Sequence, residues 1–543
     1  MAREPREILR EKIEKEVAIK REQVRIFPES RWLMDFRRVC LDPVFLDAYT
    51  EEFYERFKDE LPFQVGGMEV AAIPLVAAII MKMREKGRPI NGFFIRKSRK
   101  KSGLLKMVEG KMTDEPIILV DDLINRAQTF ERQLAVTDEA KKLVRAVFTV
   151  LRFRDLDYYV RLTERGIRVE SVFALDDFTE SIGVKNRLPD EEKPLPIVFK
   201  VKWRFQSDRP KLEWVQPKSG IAEDNEKIYF GTDRGQLLAL RKEDGALVWE
   251  HRVGLWPRGI EIFSTPVSAK GRIYFGSRDG NVYCLDARTG QRIWVSFEVD
   301  IVEGKLLALE KQGILIVPAS FGLSKRHGGV VALDLKTGKK VWEKSFPDTV
   351  TGAPFFSQKY NAILVGSRGG IIYALEYKHG RILWQFSVSG ALPEGGALSQ
   401  DEETLVMSSM DGNVYALSTK DGNLQWKFNI GLANYASPYI WEAKVFVASL
   451  DKSLYCFDLK TGEKKWSFPT RARIFASPVV INQRVYIGSN DARLYELDPE
   501  TGKETGYFQV TERITNPLSY NEESNNYYLV TYANELYCLE YAS

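Results

Sequence analysis

Two adjacent carboxylates, Asp121 and Asp122, close an apolar run within residues 117–130, IILVDDLINRAQTF. The four apolar residues predict a buried strand, and the polar loop behind the acids leads into a helix. In an open α/β sheet, ligands bind in the crevice outside the strand ends, beside helix N-termini that favour phosphate. Paired carboxylates there suit the hydroxyls of a ribose ring, because they accept strong charge-assisted hydrogen bonds. The plain alternative is an acidic strand-to-helix turn with Asp122 near the helix start. A second charged feature lies upstream: from Lys82 to Lys106, ten basic residues stand against one acid, Glu85. On a chain of net charge +4 that local excess suits an anion funnel. A solvated basic helix end and an RNA contact are the other readings.

The elements that would position these residues alternate. Residues 41–60 have helical spacing with Pro43 in the first turn. A short strand (FQVGG), a helix (IPLVAAIIMKMREKG), the strand FFIRK, the basic loop and the Asp-Asp strand follow. A helix, the strand RAVFTVL, a further helix and the strand VESVFAL complete the set. Such alternation predicts an α/β domain with a parallel sheet and crossover helices. Residues 1–26 read as a separate charged helix with Ile13, Val17 and Val24 on one side. The polar, proline-containing stretch within 185–198 reads as a semi-rigid linker.

In segment order and motifs, residues 27–184 resemble an orotate phosphoribosyltransferase, a type I phosphoribosyltransferase-like parallel-sheet domain. The stretch 30–37, SRWLMDFR, resembles the family's substrate-proximal segment, with Trp32 and Arg37 near the base. Residues 67–75, GMEVAAIPL, resemble its pyrophosphate loop, through Glu69, Val70, Ala71 and Ala72. Arg96, Lys97, Lys100 and Lys101 resemble its mobile catalytic loop, and 120–129 its ribose-phosphate signature. The resemblance implies that Asp121 and Asp122 hold the ribose hydroxyls and favour a cationic transition state. Asn125, Arg126, Ala127 and Thr129 would surround the phosphate. Lys97, Lys100 and Lys101, with Arg96, would neutralise departing pyrophosphate. Magnesium would enter with phosphoribosyl pyrophosphate rather than on a protein ligand set. The resemblance also implies a homodimer.

Several positions depart from that family's pattern. Asn125, Arg126, Ala127, Gln128 and Thr129 stand where a run rich in threonine and glycine is expected. Glycine matters there because backbone N–H groups must approach phosphate with no Cβ in the way. Gln128 calls for a different loop path. Val70, Ala71 and Ala72 replace a Thr-Gly-Gly-like trio, Ser102 replaces a histidine, and Trp32, Leu33 and Met34 replace an aromatic pair. Three functional readings follow: transfer of ribose phosphate to an unidentified acceptor, a degenerate nucleotide-sensing regulator, and a non-enzymatic scaffold.

From about residue 200 the chain repeats itself. Tryptophans fall at 203, 249, 294, 342, 384, 426 and 466, and from 249 onward a turn glycine precedes each by four. Pro266, Pro354, Pro438, Pro478 and Pro517 stand before strand entries. Four short strands per 40–48-residue period is the pattern of a propeller blade. Strand-plus-glycine segments from 228, 273, 315, 363, 405, 445, 485 and 527 predict eight blades. The last segment lacks its W-x-F, and Trp203-Arg204-Phe205 lacks preceding strands, so the two ends should complete one blade. Gly506 in a tryptophan slot makes seven blades the alternative. Over 199–543 the units resemble pyrroloquinoline-quinone-type repeats. No adjacent cysteines are present to sit over that cofactor, so no quinone is expected. The tryptophans read as inter-blade packing, and the ring as a docking platform for an unknown protein.

Composition narrows the rest. Of four cysteines, Cys284, Cys456 and Cys538 share a slot that holds alanine in sister repeats, which reads as a small buried position. Cys40 is the fourth. The three histidines, His251, His327 and His379, leave no histidine-rich metal site and none for acid–base work in the N-terminal half. Apolar runs are too short to span a bilayer, and the charged N-terminus lacks a secretory h-region. A cytoplasmic protein, without membrane or nucleic-acid partners, is the expectation.

Overall fold

The computed structural model describes residues 3–20, 32–97, 107–182, 195–207, 219–254, 260–321 and 327–542. It divides into two compact units, Met1–Pro194 and Leu195–Ser543.

In the first unit, helix α1 (Pro5–Lys12) widens into one π-type turn at Ile13–Val17, then gives way to strand β1 (Ala18–Lys20). That strand pairs antiparallel with β2 (Trp32–Met34), Lys20 opposite Trp32. The helix expected over 1–26 is therefore cut short. Ile13 and Val17 are buried, but from Ala18 the chain takes extended backbone because β2 supplies its ladder bonds. Val24 lies outside the described residues.

Helix α2 (Pro43–Phe57) starts where Asp42 accepts the N–H groups of Val44 and Phe45 at 2.8 and 3.0 Å. It buries Phe45, Tyr49, Phe53 and Phe57; the last three pack with Phe148, and Phe45 stacks on Tyr49. Strand β3 (Gln64–Met68), helix α3 (Ala72–Glu85), strands β4 (Asn91–Ile95), β5 (Val108–Gly110) and β6 (Ile117–Ile124), and helix α4 (Gln128–Glu139) follow. Strands β7 (Val144–Arg152) and β8 (Arg168–Ala174), with the short helix α5 (Val160–Glu164) between them, complete the unit's six-stranded sheet, in the order β5-β4-β3-β6-β7-β8. All pairs are parallel except β4 with β5, an edge strand that the sequence reading missed. Gly67 is sterically required: a Cβ there would lie 2.4 Å from that of Ala72 and 2.8 Å from the Val120 carbonyl oxygen. Its absence lets α3 start hard against β3 and β6.

The second unit is an eight-bladed propeller of four-stranded antiparallel sheets. Blade 8 joins Ser519–Asn521, Asn526–Val530 and Glu535–Tyr541 to Phe199–Gln206, so the two ends of the repeat region close the ring as expected. Each of the seven repeat tryptophans donates its Nε1–H to a carbonyl of the next blade, at 2.8–3.3 Å. Its ring lies over that blade's turn glycine, where a Cβ would meet ring carbons 2.4–2.6 Å away. The glycine thus serves two ends: a positive φ near 70° for the turn, and room for the neighbour's indole.

Gly506 now has a reason. A tryptophan there would dock on the turn before blade 8's outer strand, but that turn is absent because the strands on either side come from the two ends of the repeat region. Residues 196–198 fill the place: the Val198 N–H donates to the Tyr507 carbonyl at 3.0 Å, the Tyr507 N–H donates to the Pro196 carbonyl at 3.1 Å, and Val198 Cγ1 lies 2.2 Å from where a Gly506 Cβ would be. The small slot shared by Cys284, Cys456 and Cys538 lies opposite a tryptophan on the adjoining strand in each case. All three thiols are free and buried, and burial pushes them up to about 11–12.

Candidate functional site

The acid pair sits at the C-terminal end of β6, between β3 and β7. Asp121 is only 7% exposed and Asp122 is half-buried. The Asp122 N–H donates to Asp121 Oδ1 at 3.0 Å, and the Leu123 N–H to Asp122 Oδ1 at 2.8 Å. Burial, then the neighbouring Asp122, push the Asp121 carboxyl well above the ordinary carboxylate range. Burial also raises Asp122. Two like charges in one apolar crevice do not both ionise readily, so the pair retains protons well above the pH at which exposed carboxyls lose them. Beneath it, the Tyr49 hydroxyl is fully buried, feels the Asp121 charge, and has no hydrogen-bond partner among the described residues. Cys40 lies near both acids, its thiol raised to about 12 chiefly by burial.

Two helix N-termini flank the acids. Helix α4 begins immediately behind the β6 loop, and α3 behind the turn that leaves β3, the neighbouring strand. Neither has a side-chain cap, so first-turn N–H groups face the crevice end of the sheet. Ala127 takes the left-handed backbone, φ 58°, at the cap of α4. The loop thus keeps a conformation that favours glycine, without having one, and Gln128 becomes the first helical residue. Asn125 is half-buried, while Arg126 and Thr129 are exposed.

Lys97, at the end of β4, is exposed yet close enough to lower Asp121 electrostatically. Its N–H donates to Glu69 Oε1 at 2.9 Å, and Arg132 donates to its carbonyl. Arg96 stands 3.3 Å from Glu109 and 3.9 Å from Glu69. Arg37 donates to Asp35 at 2.7 Å and feels the charge of Asp122. Acids, Lys97, Arg37 and the Glu69–Ala71 turn therefore converge on one end of the sheet, whereas Arg96 points its charge into acidic neighbours. Trp32 lies on β2. Lys100, Lys101 and Ser102 lie outside the described residues.

A family model described as outer membrane protein assembly factor BamB matches residues 200–316, 278–505 and 368–542. An orotate phosphoribosyltransferase from a Bradyrhizobium species (strain BTAi1) is 31% identical over 128 residues, 23% of this chain and 69% of that protein. The chain belongs to both families. Its N-terminal unit is of the orotate phosphoribosyltransferase kind and its propeller of the BamB kind. BamB of Yersinia pestis is 31% identical over 100 residues, 17% of this chain and 25% of that protein. The solved structure of BamB from Moraxella catarrhalis matches with a TM-score of 0.52 at 19% identity, covering 63% of this chain and 100% of that one. That identity shows the propeller fold alone. No helix among the described residues is long and apolar enough to cross a membrane.

Sequence reasoning missed the clamp behind the phosphoribosyltransferase-family loop. Arg154, 7% exposed, donates Nε–H to Asn125 Oδ1 at 3.3 Å, and its own N–H bonds the Tyr159 hydroxyl at 3.3 Å. Tyr159 in turn donates to the Ile124 carbonyl at 3.1 Å. A signal existed: Arg154 falls just past the end of β7, where crevice residues of such sheets are drawn from.

Proposed function

We propose that the N-terminal unit binds a phosphorylated ribose, either phosphoribosyl pyrophosphate with its magnesium or a nucleotide, and transfers ribose phosphate to an acceptor not yet identified. One observation carries this reading: an acid pair between two uncapped helix N-termini on adjoining parallel strands, with Lys97 within electrostatic reach. Carboxylates suit the ribose hydroxyls and the helix ends suit phosphate. Magnesium on the pyrophosphate would offset part of its charge. Asp121, Asp122, the loop 125–129 and Lys97, joined by Lys100 and Lys101, would serve as in the family. The propeller acts as a docking platform for a protein, the chain pairs as a homodimer, and the buried free cysteines suit the reducing cytoplasm.

The test is a melt of the full chain with magnesium and phosphoribosyl pyrophosphate. A ligand at a hundredfold over its Kd stabilises its unit by about 2.7 kcal/mol; an unmoved N-terminal transition at millimolar ligand would sink the proposal. A second reading, a regulator that binds without turnover, is favoured by Arg96, whose charge is engaged by Glu69 and Glu109. Pyrophosphate release across a panel of bases separates the two, since a regulator melts higher with ligand but releases none.

A further inference from the structure

The propeller has a cavity of its own. About 360 Å³ in volume, it takes lining residues from all eight blades, which places it on the ring axis. Charged side chains reach it from one sector. Of these, Glu303 is already engaged by Arg278 at 3.2 Å. Lys305 and Arg368 are different: neither has a carboxylate within ion-pair distance among the described residues, and Arg368 makes one long bond, Nε to Thr351 Oγ1 at 3.4 Å. Both side chains are exposed, and the protein around the Lys305 ammonium lowers its pKa. Two cations lining one concave space without a counter-charge attract an anion into it.

The remaining wall narrows the class of anion. Glu394 also lines the cavity, and burial raises its carboxyl to about 7 against the opposing field of Arg368. Two cations facing a carboxyl that is partly ionised near neutrality suit a single negative charge better than a doubly charged phosphate. Aromatic rings complete the surface: Tyr435 and Phe475 meet edge-on at 5.5 Å, and Phe263 joins them. Thr515 lines the same space, 4% exposed, its hydroxyl without a partner among the described residues. We propose that the axial cavity binds a small aromatic monocarboxylate, with Lys305 and Arg368 on the carboxylate and Tyr435 and Phe475 on the ring.

Benzoate titrated into the full chain, followed by ligand-observed saturation-transfer NMR, tests this. Benzamide, the neutral isostere, should bind at least about tenfold more weakly, a difference of about 1.4 kcal/mol. Lys305→Met should weaken benzoate by a similar factor, and Arg368→Lys should retain more affinity than Arg368→Gln. Benzoate should also tighten severalfold from pH 8 to pH 6 as Glu394, which feels Arg368, lies near Tyr435 and shares the cavity wall with Lys305 and Glu303, takes up its proton; Glu394→Gln should flatten that profile. Equal binding of benzamide overturns the proposal, as does benzoate binding indifferent to Lys305→Met, or complete displacement by equimolar inorganic phosphate. No benzoate signal at 20 mM leaves a water-filled channel and overturns it too. Were a variant to unfold, the benzoate and benzamide pair on the native chain would still decide.

Discussion

Glu535→Gln should open the propeller. Glu535 is fully buried, and Arg204 Nη2 stands 2.8 Å from its Oε1 with the guanidinium largely covered, 17% exposed. Thr531 donates to the other carboxylate oxygen at 3.0 Å, and the Arg204 guanidinium lies 5.0 Å over the Tyr537 ring. These two residues are 331 positions apart, one on each terminal strand of the repeat region. The amide preserves the shape but removes the negative charge that Arg204 Nη2 meets at Glu535 Oε1. Breaking a buried pair from one side costs about 3–5 kcal/mol, whereas replacing both partners by apolar groups is often neutral. Glu535→Gln should therefore cost about 3 kcal/mol, and Arg204→Met with Glu535→Met less than half of that. Urea unfolding followed by tryptophan fluorescence reads the propeller, because seven of its indoles bridge neighbouring blades, and linear extrapolation gives the difference. Since the pair joins the two ends of the repeat region, the loss should also appear as faster proteolysis near residue 200. A cost under about 1 kcal/mol, or a double replacement as damaging as the single one, would refute the view that this pair closes the ring.

Trp384→Ala, which removes the ring over Gly422 and the bond to the Thr419 carbonyl at 3.0 Å, should cost about 3 kcal/mol by urea unfolding. At Ala127, φ 58°, valine should destabilise the N-terminal unit by about 2 kcal/mol while glycine changes stability by under about 1, since relief of strain is offset by unfolded-chain entropy. Asp121, raised by burial, holds a proton in the folded state that the unfolded chain releases near pH 4, so the stability of its unit should fall as pH rises above that value. Asp121→Asn should remove that slope and raise the melting temperature at pH 7.5, while abolishing any ribose-phosphate stabilisation; a variant melting lower at pH 7.5 would contradict the assignment.

What the chain discloses about itself follows the range of the interactions involved. Blade count was readable because each indole docks on the turn glycine of the following repeat, so one contact recurs as a period. Closure was readable for the same reason: an orphan W-x-F and an orphan pair of strands complement one another. Gly506 was not, because its cause is a segment over 300 residues away in sequence, residues 196–198. Strand β5 has three residues and no periodicity to show; it exists because β4 offers an open edge. The early end of the N-terminal helix likewise depends on β2. In the site, the acid pair stood out by type and place, whereas Arg154 acts from behind the loop on a different strand connection.

The substitutions around the acids also bear on which functional reading is strongest. Left-handed backbone costs an L-residue about 1–2 kcal/mol, and among the described non-glycine residues of this unit only Ala127 and Lys141 take it. The loop leading to Ala127 is gripped twice, through Asn125 by Arg154 and through Ile124 by Tyr159. Strained backbone persists where surrounding structure over-determines it, and such places cluster at ligand clamps. The acids argue in the same direction, since two carboxyls raised by burial are a standing cost that an apolar pair would avoid. An awkward backbone and an awkward charge kept together support the proposed ligand site over a bare scaffold. Sugar hydroxyls meet both demands at once, because they donate to the ionised carboxyl and accept from the protonated one.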